Sequence, residues 1–207
     1  FFELINRFTF YTIMKIREAK ISDSKNIWLW RIDKETVMFS QSKRIIKWEE
    51  HQKWFKNNFK SKKRIIYIAD KNIKNKSLGC VSFELKNNKK AEVSIFLNPK
   101  YKGKNLSFKI LSSAIKEFQK NFKVYLTARI LSDNTKSIKI FERCNFGLLK
   151  KTKKILFYVN KQVFIDEIEK VRSRNNINWM NLLRLSYKLN PNEADKIVKH
   201  IDNDDRT

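Results

Sequence analysis

Ile95-Phe-Leu-Asn-Pro-Lys-Tyr-Lys-Gly-Lys-Asn-Leu-Ser107 passes from strand to turn to helix, and its reading decides the fold. Pro99 and Gly103 break the strand. Immediately afterwards Leu106, Ile110, Leu111, Ala114, Ile115 and Phe118 recur at three-to-four spacing, which predicts a helix that starts at the turn. A turn that opens a helix exposes free backbone N–H groups and the positive end of the helix dipole, so it suits a pyrophosphate.

Upstream of this unit, Ala91 to Leu97 reads as a strand paired with Leu78 to Leu85 across the Lys86-Asn-Asn-Lys-Lys90 loop. Arg64 to Ala69 is a further strand, and Lys15 to Ala19 a short first one. Between them, Ile21-Ser-Asp-Ser24 supplies capping residues for a helix carrying Ile27, Trp28 and Trp30. A second helix, Trp48 to Phe59, spaces Trp48, His51, Trp54 or Phe55, and Phe59 on one side. Downstream, Lys123 to Ile130 is a strand, Asp133-Asn134 caps a helix bearing Ile138, Phe141 and Cys144, and Ile155 to Val159 is the last strand. The order β-α-α-β-β-β-α-β-α-β predicts an α/β fold, a mixed sheet with helices. After about residue 163 the pattern is purely helical, with two amphipathic segments separated at Asn190-Pro191. The chain therefore reads as a leader or upstream extension over 1–13, a catalytic-size domain over 14–162 and a helical tail over 163–207.

Composition bounds the function classes. With 42% hydrophobic residues, 16 Phe and 5 Trp, the bulk of the chain builds a core. The formal charge of +25 has three readings. A dense basic surface neutralises nucleic-acid phosphates. It also favours an active site for anionic substrates. The third reading is codon composition, since Lys outnumbers Arg 35 to 11 and Asn and Ile are abundant too. Cys80 and Cys144 lie in apolar runs without CxxC or metal spacing, which fits a reduced, cytoplasmic setting. With His51 and His200 the only histidines, a His-rich metal site is excluded, and no metal is expected. No window reaches the roughly 20 apolar residues of a membrane span. Residues 1–13 contain Glu3 and Arg7 and no small-residue cleavage site, so they do not read as a signal peptide.

The segment Ile95 to Ser107, followed one strand later by Asp133-Asn-Thr-Lys-Ser-Ile-Lys-Ile-Phe-Glu-Arg-Cys-Asn-Phe146, resembles the acetyl-CoA-binding region of the GNAT acetyltransferase superfamily. The resemblance covers roughly residues 14–160 and implies a mixed, mostly antiparallel sheet flanked by helices. It implies acetyl-CoA as cosubstrate, with Ile95, Phe96 and Leu97 presenting backbone groups to the pantetheine arm. Lys102, Gly103, Lys104, Asn105, Leu106 and Ser107 would hold the pyrophosphate, and Asn134 and Ser137 would contact the cofactor. The family turn carries Arg or Gln, Gly, and Gly or Ala where this chain has Lys102, Asn105 and Ser107. Asn tolerates the left-handed conformation and Ser is small, so the turn can form. The family's usual Tyr acid, which protonates the departing thiolate, falls at Phe141, which has no proton to give.

Acetyl transfer to an amine needs a base for the amine proton. Glu92 is the first candidate, because alternation puts it on one face with Ser94 and Phe96; Glu84, on the partner strand with Cys80 and Ser82, is the second. The stretches Trp30-Arg-Ile-Asp33, Met38-Phe-Ser40 and Glu49-Glu-His-Gln-Lys-Trp-Phe55 resemble acetyltransferases of nucleotide-linked amino sugars in pseudaminic and legionaminic acid biosynthesis. That resemblance implies a small-molecule nucleotide-sugar acceptor held by Trp30, Arg31, His51 and Trp54. Guanidinium bridges phosphate or carboxylate, and indole stacks on sugar or base.

Two other readings stand beside it. One is acetylation of a protein N-terminus or lysine. The other, from a different class, is a basic nucleic-acid-binding protein on a degenerate GNAT scaffold. In the tail, Asn175-Asn-Ile-Asn-Trp-Met180 and Leu182, Leu183 and Leu185 read as a capped helix with a docking face, for its own domain or for a second subunit in a homo-oligomer.

Overall fold

Period-two alternation along the central strands gives the sheet two faces of different chemistry, and the helices divide between them. The computed structural model of the protein describes residues 14–61, 63–71, 76–160 and 180–196. The leader 1–13 and the Asn175 to Trp179 stretch lie outside the described residues. The chain divides into two compact units, Phe1–Val163 and Phe164–Thr207. In the second unit, residues 180–189 and 191–196 are helical, interrupted at Asn190. Pro191 opens the second segment, at a position where its missing N–H costs nothing.

The first unit runs β1 (Met14–Glu18), a 3-10 turn at Ile21–Asp23, α1 (Ser24–Arg31), α2 (Lys34–Met38), α3 (Trp48–Ser61), β2 (Arg64–Lys71), β3 (Lys76–Asn87) and β4 (Lys90–Leu97). It continues with a 3-10 turn at Pro99–Tyr101, α4 (Ser107–Asn121), β5 (Tyr125–Leu131), α5 (Thr135–Arg143), β6 (Phe146–Lys151) and β7 (Ile155–Asn160). The seven strands form one sheet in the order β1-β2-β3-β4-β5-β7-β6. Every neighbouring pair is antiparallel except β4 with β5. The fold is therefore α/β with a mostly antiparallel sheet. Two elements go beyond the sequence reading: the short helix α2, and β6, which follows directly on the Asn145 turn (φ 63°).

On one face, Tyr67, Val81, Phe83 and Val93 pack with Ile110, Leu111, Ala114 and Phe118 of α4. Phe83 and Phe118 stack with ring centroids 4.1 Å apart. On the other face, Ile68 and Cys80 pack with Ile27 and Trp30 of α1 and Phe55 of α3. Both cysteines are free. Burial pushes the Cys80 thiol up to about 12 and Cys144 up to about 11, so neither is a reactive nucleophile.

One guanidinium ties the sheet edge to the first turn. Arg17 of β1 donates to Asp70 of β2 (2.6 Å) and to both oxygens of Asp23 (2.7 and 3.0 Å). Asp23 also accepts from the Lys20 N–H, and Asp70 from Ser77 Oγ. Burial alone would raise the Asp23 carboxyl; the Arg17 and Lys20 hydrogen bonds and charges outweigh it and hold the group below the usual carboxylate range. A carboxylate whose pKa is depressed on folding contributes stability above its unfolded value, about 3.9, that is lost as pH falls through the folded value. Asp23→Asn is expected to cost roughly 2–3 kcal/mol at pH 7. The gap between variant and parent in thermal melts should narrow below about pH 4; parallel melting curves from pH 2 to pH 6 would contradict this assignment.

Candidate active site

The parallel contact between β4 and β5 is short. Lys90, Ala91 and Glu92 pair with Tyr125, Leu126 and Thr127, and no pairing follows. Beyond Glu92, β4 stays with β3 as far as Leu97, and β5 stays with β7 as far as Leu131. The β4–β5 pairing thus stops there, and the facing edges of Val93–Leu97 and Ala128–Leu131 have no strand partner among the described residues. On its other edge β4 is held close: a Cβ added at Gly79 would lie 2.6 Å from the Phe96 carbonyl oxygen, so β3 approaches this end of β4 as only glycine allows.

At the end of β4 the chain turns into α4. Asn98 caps the Pro99–Tyr101 turn through a hydrogen bond from the Lys100 N–H (3.1 Å) and donates to the Ser77 carbonyl (2.9 Å). Gly103 (φ 74°) and Asn105 (φ 54°) both take the left-handed conformation, which favours glycine and which asparagine tolerates. No atom lies within 4 Å of the Gly103 Cβ position, which leaves this turn open. No side chain caps α4 at Leu106, and the first N–H groups of this 15-residue helix, from Ser107 on, have no partner within the helix. An acyl-CoA asks for backbone partners along its pantetheine amides and donors at its pyrophosphate, and these residues offer both.

The side chains expected around that turn have specific employments. The Lys102 ammonium is held by Asp33, Glu35 and Thr36 of the α1–α2 segment, and Glu35 also pairs with Lys136 (2.7 Å). Lys104 is exposed, its ammonium 5.2 Å from the Tyr101 ring. Asn134 accepts from the Ser137 N–H (3.1 Å) and so caps α5. Phe141 is 3% exposed and meets Phe146 edge-on in the core. α5 turns this position into the core. Ile95 and Leu97 pack toward α4, and Phe96 toward α1 and α3.

The face under α1 and α3 carries the remaining candidates. Register places Cys80 beside Phe96, Ser82 beside Ser94 and Glu84 beside Glu92 on one side of the sheet. Glu92 accepts from Arg129 Nε (2.8 Å). Glu84 is bound by Lys86 (2.6 Å) and by Arg64. Burial raises its carboxyl, but these cations together bring it below the ordinary range; Glu92 is likewise flanked by cations, Arg129 at 2.8 Å and Lys86 at 3.9 Å. Arg64 also donates to Ser82 Oγ (3.0 Å).

Arg31, His51 and Trp54 do come together. The Arg31 guanidinium carbon lies 4.4 Å from the Trp54 ring centroid and 6.0 Å from that of Phe96; Arg64 approaches the same indole at 5.4 Å. Among the described residues no carboxylate lies within 4 Å of Arg31. Burial, then the Arg64 charge, lowers the Arg31 pKa. The expectation that His51 hydrogen-bonds an acceptor is corrected: it is 0% exposed, with both ring nitrogens engaged inside the protein. Trp30 is likewise a core residue at 4% exposure, with an edge on a cavity of about 300 Å³ beside Asn26, Ser77 and Asn98. Arg64 and the Asp33–Glu35 clamp on Lys102 escaped the sequence reading. The only available signal was charge at strand and helix starts, and strand register is needed to turn that into a contact.

A family model described as an acetyltransferase (GNAT) domain matches residues 14–147. No curated protein matches the chain by sequence. Among solved structures, the spermidine N-acetyltransferase of Vibrio cholerae in complex with CoA and spermine is similar with TM-score 0.63 at 12% identity, over 73% of this chain and 98% of its own. The Campylobacter jejuni N-acetyltransferase PseH in complex with acetyl coenzyme A gives TM-score 0.56 at 19% identity, over 72% and 99%. A domain from Methanocaldococcus jannaschii gives TM-score 0.59 at 25% identity, over 70% and 96%. Among the described residues no helix is long and apolar enough to cross a membrane, and no cluster of residues could hold a metal ion. The domain model spans residues 14–147 of 207 and coincides with the short β4–β5 pairing and the open turn, so the protein belongs to the GNAT acetyltransferase family, whose chemistry is transfer of acetyl from acetyl-CoA to an amine.

Proposed function

We propose that the protein acetylates the amine of a nucleotide-activated amino sugar, within surface-glycan or nonulosonic acid biosynthesis in the cytoplasm. The observation that carries this reading is Arg31: a half-buried guanidinium stacked on Trp54, with no carboxylate within 4 Å among the described residues. Such a group is stabilised by an anion from outside, and a sugar nucleotide brings phosphates. Trp54 offers a flat apolar face to sugar or base. A polycationic acceptor would instead meet two guanidiniums, Arg31 and Arg64, around one indole. The fold-level similarity to PseH lends further support.

In this reading acetyl-CoA supplies the activated acetyl group when bound between β4 and β5. Val93–Leu97 offers its backbone to the pantetheine arm, and the Lys102–Ser107 turn with the α4 N-terminus takes the pyrophosphate. Glu92, at the last paired position of β4, removes the amine proton. Nothing at Phe141 supplies a proton, so the departing thiolate takes its proton from water. Lys102 is neutralised by Asp33 and Glu35, so the phosphates rely on backbone donors there more than on the Lys102 charge.

The test is steady-state kinetics with a panel of nucleotide-linked and free amino sugars and with peptide amines. Arg31→Ala is expected to lower kcat/KM for the nucleotide sugar by about tenfold to a hundredfold, mainly through KM, with the acetyl-CoA KM unchanged. Glu92→Gln is expected to depress kcat instead, with a deficit that shrinks at high pH as the free amine deprotonates unaided. A peptide that outperforms every sugar, with Arg31→Ala silent, would replace this reading with protein acetylation.

A further inference from the structure

His51 lies in α3, fully buried between Trp48, Trp54 and Phe55, whose rings lie 5.8, 5.5 and 5.7 Å from its own by centroid. Its two nitrogens face different partners. Nε2 is 2.9 Å from the Ser24 carbonyl oxygen, at the start of α1. A carbonyl only accepts, so Nε2 carries the proton and donates. Nδ1 is then left with its lone pair, 3.3 Å from Nη1 of Arg31 at the end of α1. Guanidinium only donates, so the one acceptor that this tautomer offers is spent on Arg31. Burial, then the Arg31 charge, pushes the imidazole pKa down to about 4, which agrees with an uncharged ring at this contact.

The arrangement solves a specific problem. The Arg31 guanidinium lies over the Trp54 ring, 4.4 Å from its centroid, with the Phe96 ring at 6.0 Å, and a contact with an aromatic face does not by itself set the direction of the N–H groups. A hydrogen bond from one Nη to a neutral acceptor fixes that direction and leaves the charge unneutralised, with the remaining N–H groups free for an anion. A carboxylate in the same place would hold Arg31 as firmly but would cancel the charge.

We propose that His51 is a positioning residue, its imidazole fixed as the Nε2–H tautomer by Ser24 so that Nδ1 orients the Arg31 guanidinium toward the anionic part of the acceptor. This rests on the reading of Arg31 as the acceptor's anion ligand. The position specifies its substrate class through Arg31: acceptors with a phosphate or carboxylate benefit, and neutral free amino sugars do not.

The two nitrogens are separable by substitution. His51→Asn places an amide oxygen near the former Nδ1 and keeps an acceptor for Arg31. His51→Gln places its amide nitrogen nearer the Ser24 carbonyl and leaves Arg31 without its acceptor. With a uridine-diphosphate-linked amino sugar as substrate, Gln is expected to raise the acceptor KM about tenfold, with kcat and the acetyl-CoA KM within about twofold of the parent. Asn should recover most of the loss, and in an Arg31→Ala background the two variants should become equal. Equal acceptor KM values for the two folded variants in the parent background would overturn the proposal and leave the sugar reading intact. An unchanged acceptor KM in Arg31→Ala itself would remove the sugar reading and the proposal with it. If either variant fails to fold, nitrogen NMR of the parent protein with labelled histidine decides: the Nε2–H tautomer at neutral pH is expected, and an Nδ1–H tautomer or an imidazolium would overturn the assignment.

Discussion

The site depends on the fact that β4 and β5 are paired over three residues only. Parallel strands that stay together share evenly spaced hydrogen bonds along their length, and here that ladder stops at Glu92. Each strand keeps its other neighbour, so the sheet holds on both sides of that break. Unpaired backbone donors and acceptors inside a fold are costly unless something binds them, and an extended chain of amides such as pantetheine is a natural partner. The turn from Pro99 to Ser107 follows directly on the unpaired end of β4. Its two left-handed residues, Gly103 and Asn105, lead into the uncapped start of α4.

Around Arg31, the organising feature is a charge with no carboxylate partner within 4 Å among the described residues. The three arginines on the sheet strands have carboxylate partners: Arg17 with Asp23 and Asp70, Arg64 with Glu84, Arg129 with Glu92. Arg31 has an indole and a histidine instead. Retaining a desolvated guanidinium beside a second one lowers its affinity for its own proton and raises its affinity for an incoming anion, two consequences of one field. The clamp of Asp33 and Glu35 on Lys102 links the segment next to Arg31 with the turn that leads into α4. The segment that follows Arg31 and the turn before α4 are therefore tied together by ion pairs.

Much of this was legible in the sequence, for physical reasons that differ by element. The strand-turn-helix unit was legible because Pro99 and Gly103 mark the break and the apolar spacing of α4 is regular; Asn105 adopts the left-handed conformation its residue type tolerates. β6 was not, since only Phe146 along it is buried and no alternation survives. α2 was missed because five residues with no buried member leave no periodic signal. His51 read as a site residue through the resemblance of the Glu49 to Phe55 stretch; which way its polar ring points depends on the packing of α1 against α3. Arg64 was invisible because its partners, Ser82 and Glu84, are fixed by β2–β3 register rather than by spacing along the chain.

The most direct measurement is backbone amide hydrogen exchange of the intact protein with and without CoA. Segments 93–97 and 107–109 carry the free groups that this account assigns to pantetheine and pyrophosphate. Saturating CoA is expected to slow exchange in both segments by at least about tenfold, beyond any general stabilisation of the domain. Protection confined to other regions, or none at saturating CoA, would contradict the placement of the cofactor between β4 and β5.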